Sequence, residues 1–458
     1  MTTHRTPTPD TTGRADRILD ELTALGEDLR RRTGVPGIAV GVLADGREAV
    51  AGLGTTGADG GAPVTGDTVF RYCSLTKPHT ATLAMVLAEQ GRITLDDHAA
   101  GTPFPELTIR QLLDHTSGLE GEWPGDLLDF GTDDGALGRL VADLGRVRRF
   151  APPGRWFGYC NPGYWMLGHL LATAGGGTFE EVLREHVLRP LGVGADLDAS
   201  GVDPALLALP CRPAAPGTTT HVAHEPYDFP RVRIASGGIV GSVRDVLAFA
   251  AEHTVGGGRR LVVSEDGRRT MRTLTVSGPL PGVRQGLGWV VADTPDGGTS
   301  LRHSGSYPGF TALLAVHPEH DAAVVVLTNS DAGGPVCQAL VEEAGRLVRD
   351  LPRSQVSPSA TEFVSPESEL RALEGPYEHP ACVRLTVSAL PPSVLGLAME
   401  SADGTVTEAD ARAVARDAFE VVDGEFAGAR LAFLRADDGR VESIRLGQRL
   451  GAPLGGAR

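Results

Sequence analysis

A hydroxyl and an amine three residues apart are the first residues of this chain whose types and spacing suit catalysis. Ser74-Leu-Thr-Lys77 follows a short β-like run and leads into an apolar segment, Ala81 to Glu89, of helical character. On a helix, positions i and i+3 share a face, so Oγ and Nζ of such a pair can meet. A serine hydroxyl is a poor nucleophile until a neighbouring base takes its proton. Lysine does so only when neutral, which requires burial and nearby cations to pull its pKa below the free value of about 10.4. A helix start also offers unpaired N–H groups and a positive dipole end, both suited to an oxyanion.

A Ser-x-x-Lys string is common by chance, but lysine is almost absent here. Of 42 Lys plus Arg residues only one, Lys77, is lysine. Arginine stays protonated and cannot act as a base, so the lone lysine belongs where arginine cannot serve. The competing reading is drift at a solvated position. Asparagine is as rare, occurring only at Asn161 and Asn329. Tyr159-Cys-Asn161 lies between Gly158 and Pro162, hence on a loop. A phenol can relay a proton, and a side-chain amide can hold both Lys77 and a substrate carbonyl. Alone, these would be a packed Tyr and an Asn in a turn. His303-Ser-Gly305, ahead of Ser306 and Gly309, borders a β-run. Gly there lets a substrate lie along a strand edge, and His can donate to a carbonyl or shuttle a proton. Alone, a His beside a strand is usually just a satisfied polar group.

Periodicity outlines the elements that must position these groups. Ala15 to Arg32 has an apolar face of Ile18, Leu22, Leu25 and Leu29, as in an amphipathic helix. Two β-runs, Gly37 to Leu43 and Glu48 to Gly52, meet at the turn dipeptide Asp45-Gly46. Residues 107–195 read mostly as helices broken by Gly/Pro loops, and Phe179 to Leu188 reads as a helix stopped by Pro190. A further helix is expected over Val243 to Glu252. Strands are expected over Leu287 to Ala292, Thr311 to Val316 and Ala322 to Leu327, and a closing helix over Val336 to Leu351. This order implies an antiparallel sheet whose N- and C-terminal parts meet, flanked by helices, with a helical lobe inserted between them. The expected division is a disordered tail over 1–14, a catalytic domain over 15–351, a linker over 352–366 and a small β-domain over 367–458. The linker is rich in Ser and Pro, and turn dipeptides at Asp403, Asp423 and Asp438 space the short strands of the last unit.

Composition removes several function classes. A formal charge of −16 argues against a nucleic-acid partner. No stretch reaches the roughly 18 uncharged apolar residues of a membrane span, and Met1 to Arg14 lacks the apolar core of a secretory signal, so a cytoplasmic location is expected. The five cysteines, at 73, 160, 211, 337 and 382, have neither metal-ligand spacing nor the pattern of a disulfide framework. No Gly-x-Ser-x-Gly elbow or His-Glu-x-x-His motif occurs, and no metal or cofactor is expected.

Ser-x-x-Lys, Tyr-x-Asn and His-x-Gly, in that order, resemble the three boxes of the serine β-lactamase and penicillin-binding-protein superfamily. Leu112 to Leu119, Pro153-Gly154, Ser236-Gly-Gly238, Ser242 to Asp245 and Gly286 to Trp289 are also similar, so the resemblance covers about residues 15 to 350. It implies a β-lactamase-like α+β fold, with Ser74 as acylated nucleophile and Lys77 as its base. Tyr159 would be a proton relay, Asn161 an anchor for substrate and Lys77, and His303 a donor to substrate. The backbone N–H groups of Ser74 and Ser306 would form the oxyanion hole, and Gly305 would line the substrate strand. His115, within the Leu112 box, reads as structural. A catalytic domain followed by a lipocalin-like barrel is similar to penicillin-binding-protein-type thioesterases, which release and cyclise nonribosomal peptides, and to D-aminopeptidases. The first similarity implies a peptide or peptidyl thioester substrate, free or carrier-bound, resolved by its own amine. The second implies hydrolysis by a D-specific peptidase or esterase, and a catalytically silent binding protein is a third reading. Arg445, on the barrel, is a candidate for a substrate carboxylate or carbonyl, against the plainer reading of a solvated strand arginine.

Overall fold

The computed structural model describes residues 13–197, 199, 201–225, 227–254, 261–278, 280, 282–352, 363–424 and 426–454. Most of the expected N-terminal tail and residues 353–362 of the expected linker lie outside the described residues.

The amphipathic helix Arg14–Thr33 buries Ile18 and Leu22 and ends at Gly34, whose φ of 76° closes the last turn. Asp45 and Gly46 both take positive φ, 53° and 71°, as a two-residue hairpin between Gly37–Ala44 and Arg47–Gly57 demands. These strands join a nine-stranded sheet. From edge to edge it runs Gly60–Pro63, Arg47–Gly57, Gly37–Ala44, Ala322–Thr328, Phe310–His317, Thr299–Tyr307, Val290–Asp293, Val283–Gln285 and Val276–Ser277. The two ends of the catalytic domain meet at its centre, where Ile38 pairs with Thr328 and Ala44 with Ala322. Those central strands are buried throughout because both faces are covered. On one face, Ile18 and Leu22 pack with Leu340 and Val341 of helix Gly334–Val348. On the other, Leu83, Trp165, Phe249 and Trp289 belong to the large core shared with the helical lobe.

The helix after the nucleophile, Thr76–Glu89, is buried from Thr76 to Leu87 and so has no polar stripe. That is the pattern of a core helix. Pro190 does not stop the helix that begins at Phe179. The α-helix Phe179–Leu183 widens into a π turn over Arg184–Leu188 and continues through Arg189–Leu191, ending at Gly192 with φ 73°. The wider turn relieves the clash a proline ring makes with the preceding turn of an α-helix.

The C-terminal unit is a separate closed barrel of eight antiparallel strands in simple sequential order, from Gly375–His379 to Arg449–Pro453. It closes where Tyr377 pairs with Pro453 and Glu378 with Ala452. Alternate residues point inward, so Leu385, Leu395, Leu397, Phe419 and Phe433 fill the interior. Side chains occupy the space, as an eight-stranded barrel permits. The barrel docks on the loop that carries Tyr159. Leu434 and Leu450 pack on Phe150 and Ala151, Ser443 donates to the Phe150 carbonyl (2.7 Å), and Arg155 pairs with Asp437 and Glu442.

Candidate active site

Ser74 sits in a single 3₁₀ turn, Cys73–Leu75, directly before Thr76–Glu89. Cys73 holds φ at 54°, a left-handed conformation costly for a non-glycine residue. That bend leaves Ser74 partly exposed between two buried neighbours. Strand Thr299–Tyr307 lies against the turn, and only glycine fits at 305. A Cβ there would stand 2.2 Å from the Tyr72 carbonyl oxygen and 3.1 Å from the Leu75 nitrogen. Gly305 therefore sets the approach of the Ser306 backbone to the Ser74 backbone, the two segments expected to supply the oxyanion amides.

Lys77 is fully buried. Its Nζ is hydrogen-bonded to Ser74 Oγ at 3.1 Å and donates to the Ser236 carbonyl at 2.9 Å. Burial holds this amine well below its usual range, aided by the guanidiniums of Arg449 and Arg233 and opposed by Glu122. A buried amine whose pKa is depressed in this way, one helical turn from the hydroxyl, is suited to act as a base. Ser236 is itself fixed, since its hydroxyl accepts from Trp165 Nε1 at 2.8 Å.

Burial pushes the Tyr159 phenol up to about 12, opposed by the neighbouring Ser74 hydroxyl and the Arg449 guanidinium. Lys77 Nζ lies 4.6 Å and the Arg449 guanidinium 4.7 Å from the centre of the Tyr159 ring. His115 braces the same loop at three points. Its carbonyl accepts from Gly158 N (2.9 Å), its Nδ1 accepts from Cys160 N (3.1 Å), and its ring stacks 4.5 Å from that of Tyr159. Because Nδ1 accepts, Nε2 carries the ring proton, and that atom is buried without a partner among the described residues.

Three expectations change. Asn161 does not anchor Lys77. Its Nδ2 donates to Glu122 (2.7 Å), its Oδ1 is buried without a partner among the described residues, and the Ser236 carbonyl anchors the amine instead. His303 does not present a donor. Its Nδ1 lies 2.7 Å from the Ser304 carbonyl and must carry the proton, while burial and Lys77 hold the imidazole neutral, down to about 3. Nε2 is then left as an acceptor. Arg445 does not line the cleft. It is buried at the domain junction, donating to the carbonyls of Phe157 (3.4 Å) and Gly278 (3.3 Å).

The cation that reaches the site from the barrel is Arg449, one turn further along the same hairpin. It donates to the Tyr159 carbonyl (2.6 Å) and the Gly121 carbonyl (3.1 Å) and pairs with Glu122, while Tyr159 N donates to the Gln448 carbonyl (2.7 Å). Gly158 makes room for this hairpin, because a Cβ there would stand 2.4 Å from Leu450 Cγ. Neither Arg449 nor Glu122 belongs to any motif; each is recognisable only once the barrel is docked. Beside Ser306 opens a cleft of about 540 Å³ lined by Glu122, His224, Arg233, Ser306, Tyr307, Pro308 and Asp331.

The β-lactamase family matches the chain over residues 15–344. Penicillin-binding protein 4 of Amycolatopsis lactamdurans is 28% identical over 377 residues, covering 76% of this chain and 95% of that protein. A crystal structure of SurE aligns with a TM-score of 0.79 at 27% identity, covering 96% of this chain and 99% of that one. SurE with D-Leu gives 0.76 at 27% identity, with 96% and 100% covered. The D-aminopeptidase of Gluconobacter oxydans is 29% identical over 187 residues, 39% of this chain and 35% of that protein. The chain thus belongs to the β-lactamase family of serine β-lactamases and penicillin-binding proteins, whose members are active-site-serine hydrolases and acyltransferases.

Proposed function

We propose that the chain is a thioesterase of the penicillin-binding type, acting in the cytoplasm on peptidyl thioesters and releasing them as macrocycles. Neutral Lys77 takes the Ser74 proton as Oγ attacks the thioester carbonyl. The tetrahedral oxyanion rests on the N–H groups of Ser74 and Ser306, and collapse expels the sulfur, which takes the proton held by Lys77 and departs as a thiol, leaving the amine neutral again. The peptide's own amine then attacks the Ser74 ester and loses a proton to the Lys77–Tyr159 pair. Ser74 Oγ recovers its proton as it leaves.

The observation that carries this reading is the 3.1 Å contact between a fully buried amine and the partly exposed Ser74 hydroxyl. Cyclisation in place of hydrolysis requires that water be kept from the acyl-enzyme, a role this reading gives to the barrel, whose Gln448–Arg449 hairpin lies against Tyr159. The likeness to SurE runs through both units, and D-Leu in one SurE structure motivates a D-configured acyl-donor residue here. A linear peptidyl thioester with a D-residue at its C-terminus tests the proposal. A product lighter than the free acid by one water supports it. Free acid or a released D-amino acid favours the second reading, a D-specific peptidase or esterase.

A further inference from the structure

The cleft beside Ser306 contains four charged or ionisable side chains besides Tyr307, and three of them already have partners. Glu122 is held by Asn161 and Arg449. Asp331 accepts from Gly309 N (2.6 Å) and is paired with His224 (3.1 Å). Arg233 has no ion pair among the described residues, and its guanidinium lies 5.1 Å over the Tyr307 ring. Tyr307 packs in turn on Phe229 and Tyr227, with ring centres 5.2 and 5.4 Å apart. Arg71, two residues before Cys73, lies 4.2 Å over the far member, Phe229, and it too has no ion pair among the described residues. A chain with 58 Asp plus Glu and 42 Lys plus Arg has carboxylates to spare, yet among the described residues none pairs with these two guanidiniums. Stacking on aromatic faces preorganises a guanidinium while leaving its N–H edge free for a planar anion.

We propose that Arg233, with Arg71 behind the Tyr307–Phe229 pair, recognises a carboxylate on the substrate. The proposal rests on the acyl-transfer reading above and narrows its substrate class to acidic peptides or acidic leaving groups. Arg233 lines the same cleft as Ser306, whose N–H group is assigned to the oxyanion hole, and this places the guanidinium beside the reacting centre.

Single-turnover acylation of Ser74, followed by intact mass, tests this in two arms. One arm compares peptidyl N-acetylcysteamine thioesters bearing Glu or Gln at each of the last three acyl positions. The other compares one neutral acyl group on 3-mercaptopropionate and on 3-mercaptopropionamide. The expected result is a preference of about tenfold for the carboxylate in one arm, the size of a charge-assisted hydrogen bond. It should fall to about unity in Arg233→Gln and persist in part in Arg233→Lys. The arm that responds identifies whether acyl chain or leaving group carries the anion. Equal rates in both arms, or a preference unchanged in Arg233→Gln, overturns the proposal. Fluorophosphonate labelling of Ser74 is read in parallel. A chain that labels but accepts no thioester fails as a thioesterase, and the same Glu/Gln pairs as p-nitrophenyl esters then decide the carboxylate question.

Discussion

Arg449, on the closing strand of the barrel, stacks 4.7 Å from the ring centre of Tyr159, a residue 290 positions earlier in the chain, and donates 2.6 Å to its carbonyl. The barrel is therefore part of the site. After burial itself, Arg449 is the largest influence depressing the Lys77 amine, and it also engages Glu122, which acts in the opposite sense. Arg449→Met removes a cation and releases a carboxylate, and both changes raise the pKa of Lys77. Acylation needs the neutral amine, so its rate rises with pH through that pKa. The acid limb of the acylation profile is expected to move to higher pH in Arg449→Met, with a loss at neutral pH of at least about tenfold. Stopped-flow acylation between pH 5 and pH 10 checks this, and an unmoved limb would contradict the electrostatic role.

Gly305 packs against the nucleophile turn with no room for a side chain. In Gly305→Ala the new methyl would sit 2.2 Å from the Tyr72 carbonyl, so strand or turn must shift. A separation between oxyanion donors is the distance most sensitive to such a shift. Fluorophosphonate labelling of Ser74 is expected to slow by about a hundredfold, with a melting temperature lowered as well, since overpacking costs about 1–3 kcal/mol. Normal labelling with a lowered melting temperature would assign Gly305 to packing alone.

His115 braces Tyr159 through Gly158, Cys160 and its own ring. His115→Phe retains the stacking surface and leaves the buried Cys160 N–H without an acceptor, at a cost of about 1–3 kcal/mol. Acylation in this variant is expected to fall by about tenfold or more, and addition of Tyr159→Phe should cost little further, because the brace acts through the phenol. Fully additive losses in the double-mutant cycle would separate His115 from Tyr159.

What could be read from sequence were contacts local in the chain or enforced by pattern. Ser74 and Lys77 lie one helical turn apart, and the sole lysine marks itself by composition. The Asp45-Gly46 hairpin and the buried central strands follow from turn chemistry and apolar runs. Arg445 and Arg449 are the instructive pair. Both sit on one hairpin of alternating residues, and the choice between them depends on how the barrel docks against Phe150, Ala151 and Gly158, which no local pattern encodes. The tautomer of His303 was equally hidden, since it follows from a carbonyl 2.7 Å away and from burial. Asn161 was recognisable as special by rarity, but its partner Glu122 lies in a loop without periodicity.

The most direct test of the central claim, that uncharged Lys77 activates Ser74, is intact-mass detection of the acyl-enzyme in Lys77→Arg. Arginine keeps a cation in place and cannot take the serine proton. With a peptidyl thioester at neutral pH, wild-type protein is expected to gain the mass of the acyl group on the peptide containing Ser74, and Lys77→Arg to gain nothing. An adduct on Ser74 forming in Lys77→Arg at the wild-type rate would contradict the account.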